Sequence, residues 1–100
     1  MKSTLFVMVK GPHESCDLDL ISKIGGEDRK AVILFEDAVY FSAIGKKADD
    51  LLERVDEAYV ISDDLRARGV ADRLIQGFEE IDYSRVVDLI MEEYDQTVTL

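Results

Sequence analysis

The sequence predicts an α/β domain: three layers, α/β/α, built on a mainly parallel sheet of four to five strands. Three observations predict it. The apolar runs at residues 5–9, 31–35 and 58–61 are continuous rather than alternating, as strands covered on both faces must be. Each run is followed by a polar turn and then by a segment of helical periodicity. Strand and helix alternate throughout, and parallel strands joined by such crossovers carry helices on both faces.

The first strand ends in the turn Gly11-Pro12, and a helix is expected over 15–24, with Leu20, Ile21 and Ile24 on one face and Gly25-Gly26 as its stop. After the second strand, Asp37 is positioned to cap a short helix that runs through Ile44 and closes at Gly45. A further helix is expected over 46–55, turning Leu51, Leu52 and Val55 inward. After the third strand, Ser62-Asp63-Asp64 opens a short helix that Gly69 breaks. A fourth strand is expected at 78–81. Ser84 then caps a helix whose buried stripe is Val86, Val87, Ile90, Met91 and Tyr94. The composition of residues 97–100 suits a fifth, edge strand.

With 100 residues, no repeats and no Pro- or Ser-rich linker, the chain reads as a single domain over residues 1–100. Its 12 Lys and Arg against 22 Asp and Glu give a formal charge of -10. Such a surface repels nucleic-acid backbones and anionic membranes, so a direct grip on either is not expected. The charge is uneven. Residues 1–47 hold seven basic and seven acidic side chains, residues 48–100 five and fifteen, so all of the excess lies in the second half. That acidity suggests a basic partner surface. One cysteine allows no intrachain disulfide, and the N-terminal apolar run is too short for a secretory leader or a membrane span, so a cytoplasmic location is expected.

Ligands of parallel sheets gather at the carboxyl ends of the strands, where residues 10–16, Glu36-Asp37 and Ser62-Asp63-Asp64 fall. Cys16 is the candidate catalytic residue. At the start of a helix the backbone N–H groups favour a thiolate, which can attack a sulfane sulfur and hold it as a persulfide. His13, three residues upstream, is a possible helper in deprotonating or orienting the thiol. Residue chemistry alone leaves a second reading open, with Cys16 a small apolar filler and His13 a solvated loop residue. The acidic pairs Glu36-Asp37 and Asp63-Asp64 have the chemistry of a Mg²⁺ site, but carboxylates at a helix start also satisfy orphan N–H groups, the reading preferred here. There is no phosphate-binding glycine loop, nucleophile elbow, Cys-x-x-Cys or second histidine, so neither a cofactor nor a metal site is expected.

Four segments resemble the DsrH/TusB proteins, small subunits of sulfur-relay complexes related to DsrE/TusD and DsrF/TusC. They are Glu14-Ser15-Cys16; Leu34-Phe35-Glu36-Asp37-Ala38-Val39-Tyr40; Asp63-Asp64-Leu65-Arg66-Ala67-Arg68-Gly69; and Ile81-Asp82-Tyr83-Ser84 with Val87-Asp88-Leu89. The resemblance implies a DsrEFH-like three-layer domain in a hetero-oligomer with DsrE/TusD-like and DsrF/TusC-like subunits. It implies the handling of persulfide sulfur, for tRNA 2-thiouridine formation or for sulfur oxidation, by a sulfurtransferase subunit without full activity alone. The principal persulfide cysteine of such complexes belongs to the DsrE/TusD subunit. Cys16 matches a cysteine position of DsrH proteins, which makes it an accessory carrier. The alternative is a non-catalytic structural partner in a hetero- or homo-oligomer. The end of the chain departs from the family: it lacks the Trp-containing tail common there, which leaves room for self-assembly instead. Arg66 and Arg68 are expected to pair with carboxylates within their own turn or across an interface.

Overall fold

The computed structural model describes residues 2–12 and 18–100. Five strands form one sheet: β1 (Ser3–Met8), β2 (Arg29–Leu34), β3 (Glu57–Ile61), β4 (Phe78–Ile81) and β5 (Gln96–Thr99). Their order is β4-β3-β2-β1-β5 and every pairing is parallel. Three of the apolar runs are the inner strands. Their side chains alternate between two cores, so continuous hydrophobicity satisfies both faces at once. Phe6, Met8, Val32, Leu34, Ala58 and Val60 enter one core; Leu5, Ala31, Ile33, Tyr59 and Ile61 enter the other. The α/β/α expectation holds, with five strands and helices on both faces.

The first core is roofed by α1 (Asp19–Gly25) through Ile21, by a 3₁₀ segment (Glu36–Ser42) through Ala38, Val39 and Phe41, and by α2 (Gly45–Leu52) through Ala48 and Leu51. Leu65 of α3 (Ser62–Ala67) completes it. The second core is covered by α4 (Tyr83–Asp88) and the π-helical turn Leu89–Glu93, through Val86, Leu89 and the following Tyr94. Among the described residues no helix is long and apolar enough to cross a membrane.

Several local expectations are corrected. Of the α1 apolar face, Ile21 alone is buried, while Leu20 and Ile24 stay partly exposed. The short helix after β2 is 3₁₀ and ends at Ser42; Gly45 begins α2 rather than closing its predecessor. Asp37 does not cap the 3₁₀ segment, whose N-cap is Phe35. Leu52 and Val55 are only half-buried at the rim of the first core. The α4 cap is Asp82, not Ser84: Asp82 is extended and its carboxylate accepts the Arg85 N–H at 2.9 Å, so the helix starts two residues earlier.

The stripe expected on the last helix splits. Val86, Leu89 and Tyr94 are buried, whereas Val87, Ile90 and Met91 are 58%, 39% and 76% exposed. At ~100° per residue Val87 and Met91 lie on the side of the helix opposite Val86 and Leu89, and Ile90 flanks them. The π turn Leu89–Glu93 ends the helix, and Tyr94, in extended backbone beyond it, enters the second core. Arg85 braces this turn through a two-pronged ion pair with Glu93.

The last strand is secured at β1. Gln96, Thr97, Val98 and Thr99 stand in register with Thr4, Leu5, Phe6 and Val7. The Ser3 N–H donates to the Asp95 carboxylate at 2.9 Å, and the Gln96 amide donates to the Thr4 hydroxyl at 2.9 Å.

Two stability outcomes follow. Leu89→Ala removes a fully buried side chain and costs about 2–5 kcal/mol in urea titrations, whereas Met91→Ala stays within about 0.5 kcal/mol of wild type. An equal cost for both would contradict the split stripe. The second outcome concerns acid. The hydrogen bond from Arg85, followed by its charge, holds the Glu93 carboxyl below its ordinary range. A depressed carboxylate stabilises the fold above its unfolded-state pKa, and that gain disappears as pH falls through the folded-state value. The melting-temperature gap between wild type and Glu93→Gln is therefore full at neutral pH and closes in acid; a gap that widens in acid would refute the pairing.

Candidate functional site

Because every strand is parallel, the chain leaves each of them at the same edge of the sheet. The segments that gather there are residues 9–12 after β1, Phe35-Glu36-Asp37 after β2, Ser62-Asp63-Asp64 after β3 and Asp82-Tyr83 after β4. The first of these packs directly on the second. A Cβ added at Gly11 would stand 3.2 Å from the Asp37 carbonyl oxygen, closer than most Cβ contacts, so a side chain there would push the two loops apart by a few tenths of an ångström. His13 and Cys16, the sequence-predicted site residues, lie outside the described residues.

Asp64 is the hub of the described edge. Its side chain is only 14% exposed, and one carboxylate oxygen accepts the Glu36 backbone N–H at 2.7 Å. The Tyr83 hydroxyl donates to the same carboxylate at 3.4 Å, and the Arg68 guanidinium stands 3.9 Å away. Arg68 Nε donates at 2.9 Å to Asp37 Oδ1, which links the β3 and β2 loops. Gly69, at φ +68°, ends α3 immediately after this arginine. Arg66 instead pairs with Asp63 within its own turn. The two arginines thus divide: Arg66 serves its own helix, and Arg68 serves the edge.

The acidic pairs are engaged in this network. Neither pair caps its own helix, since the N-caps are Phe35 and Ile61. Asp64 does satisfy an orphan N–H, but across the edge at Glu36 rather than within α3. Asp37 is committed to Arg68 and Asp63 to Arg66. Among the described residues no group of three or more His, Cys, Asp or Glu side chains converges to hold a metal ion.

Sequence reasoning missed two features. Glu36 has φ +50°, a left-handed conformation that costs a side-chain-bearing residue about 1–2 kcal/mol. The Asp64 hydrogen bond to its N–H holds it there, and nothing in a Glu-Asp dipeptide signals it. The other is Tyr83, which joins the edge rather than a core: it is half-exposed, its ring lies 6.2 Å from Phe35, and its hydroxyl reaches Asp64. Partial withdrawal from water, and then the charge of Asp64, raise its phenol above the ordinary range, so it remains a neutral donor at physiological pH.

Below the edge, Pro12 and Leu18, the residues that flank the 13–17 segment, line a shallow cleft of about 180 Å³ with Phe41, Lys47, Asp50 and Arg54. Arg54 is held there by Asp19 at 2.7 Å and Asp50 at 3.5 Å. The described part of the edge is therefore a braced, charged platform that positions loops. Its carboxylates are committed to arginine and backbone N–H partners, which makes it a frame rather than a self-contained acid–base pair.

This frame defines a class: parallel α/β proteins with their loops braced at the strand ends. Within that class the chain belongs to the DsrH-like family, whose model, described as DsrH like protein, matches residues 10–96. Members of that family are subunits of sulfur-relay complexes. Two solved structures share the fold. The ychN protein from E. coli superposes with a TM-score of 0.81 at 17% identity, over 100% of both chains. A protein of unknown function from Methanobacterium thermoautotrophicum, MTH1491, gives 0.76 at 18% identity, again over 100% of both. No curated protein matches the chain.

The strain at Glu36 gives a direct test. Glu36→Gly relieves the left-handed backbone and leaves stability unchanged or up to about 1 kcal/mol higher in urea titrations, while Asp64→Asn lowers it by about 1–2 kcal/mol by weakening the bond that holds Glu36. A destabilising Glu36→Gly would show that the residue is held by its side chain instead.

Proposed function

We propose that the chain is a subunit of a cytoplasmic sulfur-relay complex, assembled with DsrE/TusD-like and DsrF/TusC-like subunits, in which Cys16 is an accessory persulfide carrier. The observation that carries this reading is the continuous family match over residues 10–96, which runs through Cys16 and through every loop of the braced edge. The sulfur delivered serves tRNA 2-thiouridine formation or sulfur oxidation, and the acidic surface fits a role that hands sulfur to proteins rather than gripping RNA.

The chemistry needs no cofactor. The Cys16 thiolate attacks the outer sulfur of a donor persulfide, R–S–SH. The donor S–S bond breaks and its electron pair leaves on R–S⁻, while a new S–S bond forms Cys16–S–SH. Oxidation level is conserved, since one persulfide is exchanged for another. His13 takes the thiol proton as the thiolate forms and returns it to the departing thiolate.

A second reading, a structural partner with no reactive thiol, is favoured by the exposed apolar side chains Tyr83, Val87 and Met91. One experiment separates the two. After incubation with a persulfide-loaded DsrE-like subunit, intact-mass spectrometry is expected to show one added sulfur on wild type, none on Cys16→Ser, and slower loading of His13→Ala. Equal loading of wild type and Cys16→Ser would overturn the carrier role. Undiminished sulfur transfer through a complex that contains Cys16→Ser would establish the structural reading instead.

A further inference from the structure

The last helix carries more apolar surface than the domain can cover. At ~100° per residue, its apolar side chains Tyr83, Val86, Val87, Leu89, Ile90 and Met91 sweep an arc of roughly 200°, about twice the stripe that one core-facing helix needs. Val86 and Leu89 use half of that arc against the sheet. The other half looks outward: Tyr83, Val87, Ile90 and Met91 are 50%, 58%, 39% and 76% exposed. Tyr83, Val87 and Met91 follow one another at i, i+4 and i+8, so they form a row along the helix rather than scattered surface residues.

The flank of the row is acidic: Asp88 and Glu92 lie beside it on the same helix, and of the nearby cations Arg85 is engaged by Glu93 and Arg29 by Glu57 and the Tyr94 ring. A second copy docked by the same face would bring these carboxylates together, a repulsion that the apolar centre would have to overcome. A partner with an apolar centre and a rim of Lys and Arg meets attraction at both.

We propose that the outward face of α4 and the π turn, centred on Tyr83, Val87, Ile90 and Met91, docks a different subunit whose matching face is apolar and rimmed by basic side chains. This builds on the subunit reading above and gives the partner its chemistry. Tyr83 belongs to both the row and the carboxyl edge, through Phe35 and Asp64, so a partner seated on α4 is brought alongside the loops that leave the strands.

The test uses the full chain, tagged and purified from its source cells together with whatever it holds. Wild type is expected to carry a partner whose cross-linked surface contains Lys or Arg around apolar residues. Val87→Glu and Met91→Glu are expected to weaken that complex about tenfold or more while their thermal melts match wild type. Asp88→Lys combined with Glu92→Lys weakens it as well, and raising the salt concentration weakens the wild-type complex. Asp72→Lys combined with Glu53→Lys, an equal charge change at exposed sites in a different part of the chain, leaves the complex unaltered. Retention of the partner by Val87→Glu and Met91→Glu overturns the proposal. So does a wild-type chain that holds no partner, or one that self-associates through this face and becomes monomeric on Met91→Glu. The outcomes separate from those of the relay reading. A face-dependent partner unlike DsrE or DsrF upholds the docking face and refutes the relay assignment, whereas DsrE- or DsrF-like partners retained by the face variants do the reverse.

Discussion

Parallel pairing is the constraint on which the rest of this molecule depends. A parallel strand cannot fold straight back on its neighbour, so the chain must return across a face of the sheet after each strand. That requirement creates the helical layers, and it also delivers every strand end to one edge, in steps of about 4.8 Å. β1, β2 and β3 are buried on both faces because crossovers lie above and below them, and their side chains divide between two cores accordingly. Four chain segments with no other reason to meet are thereby brought together at the edge.

What holds those segments is polar rather than apolar. Asp64 reaches from the β3 loop to the Glu36 N–H of the β2 loop, Arg68 reaches back to Asp37, and the Tyr83 hydroxyl arrives from beyond β4. A surface ion pair such as Arg68–Asp37 contributes little to global stability, about 0–1 kcal/mol, so its effect is to fix geometry. The left-handed Glu36 fits the same account: a local cost is tolerated where the surrounding contacts over-determine the backbone. The family match covers all of these loops.

Much of the fold was legible because hydrophobic pattern and chain direction dictate it. Continuous apolar runs such as residues 31–34 can only be doubly buried strands, and the alternation with helical segments then requires a parallel sheet. The errors fell where pattern is ambiguous. Ser84 and Asp82 are both good caps, and only backbone geometry selects Asp82. Apolar periodicity in the last helix shows how many residues avoid water, not which surface will cover them; Val86 and Leu89 face the sheet, whereas Val87, Ile90 and Met91 do not. At the site, the arginines and carboxylates were evident as residues, but their partners were not, because Asp37–Arg68 and Glu36–Asp64 join positions about thirty apart in the chain.

The clasp between the first strand and the last has a consequence for how the chain comes to be folded. Thr4 stands opposite Gln96, and Ser3 is bonded to Asp95, across a sequence separation of 92. On a ribosome, β1 is made first and pairs with β2 as soon as residue 34 is free, yet its other flank, with its row of unsatisfied amides and carbonyls, stays open until residue 99 emerges. Contacts of such long range are formed late and slowly. During synthesis the growing chain therefore presents an apolar strand edge to its surroundings for most of its elongation, so it stands to gain from early company, whether a chaperone or a neighbouring subunit, more than its small size suggests.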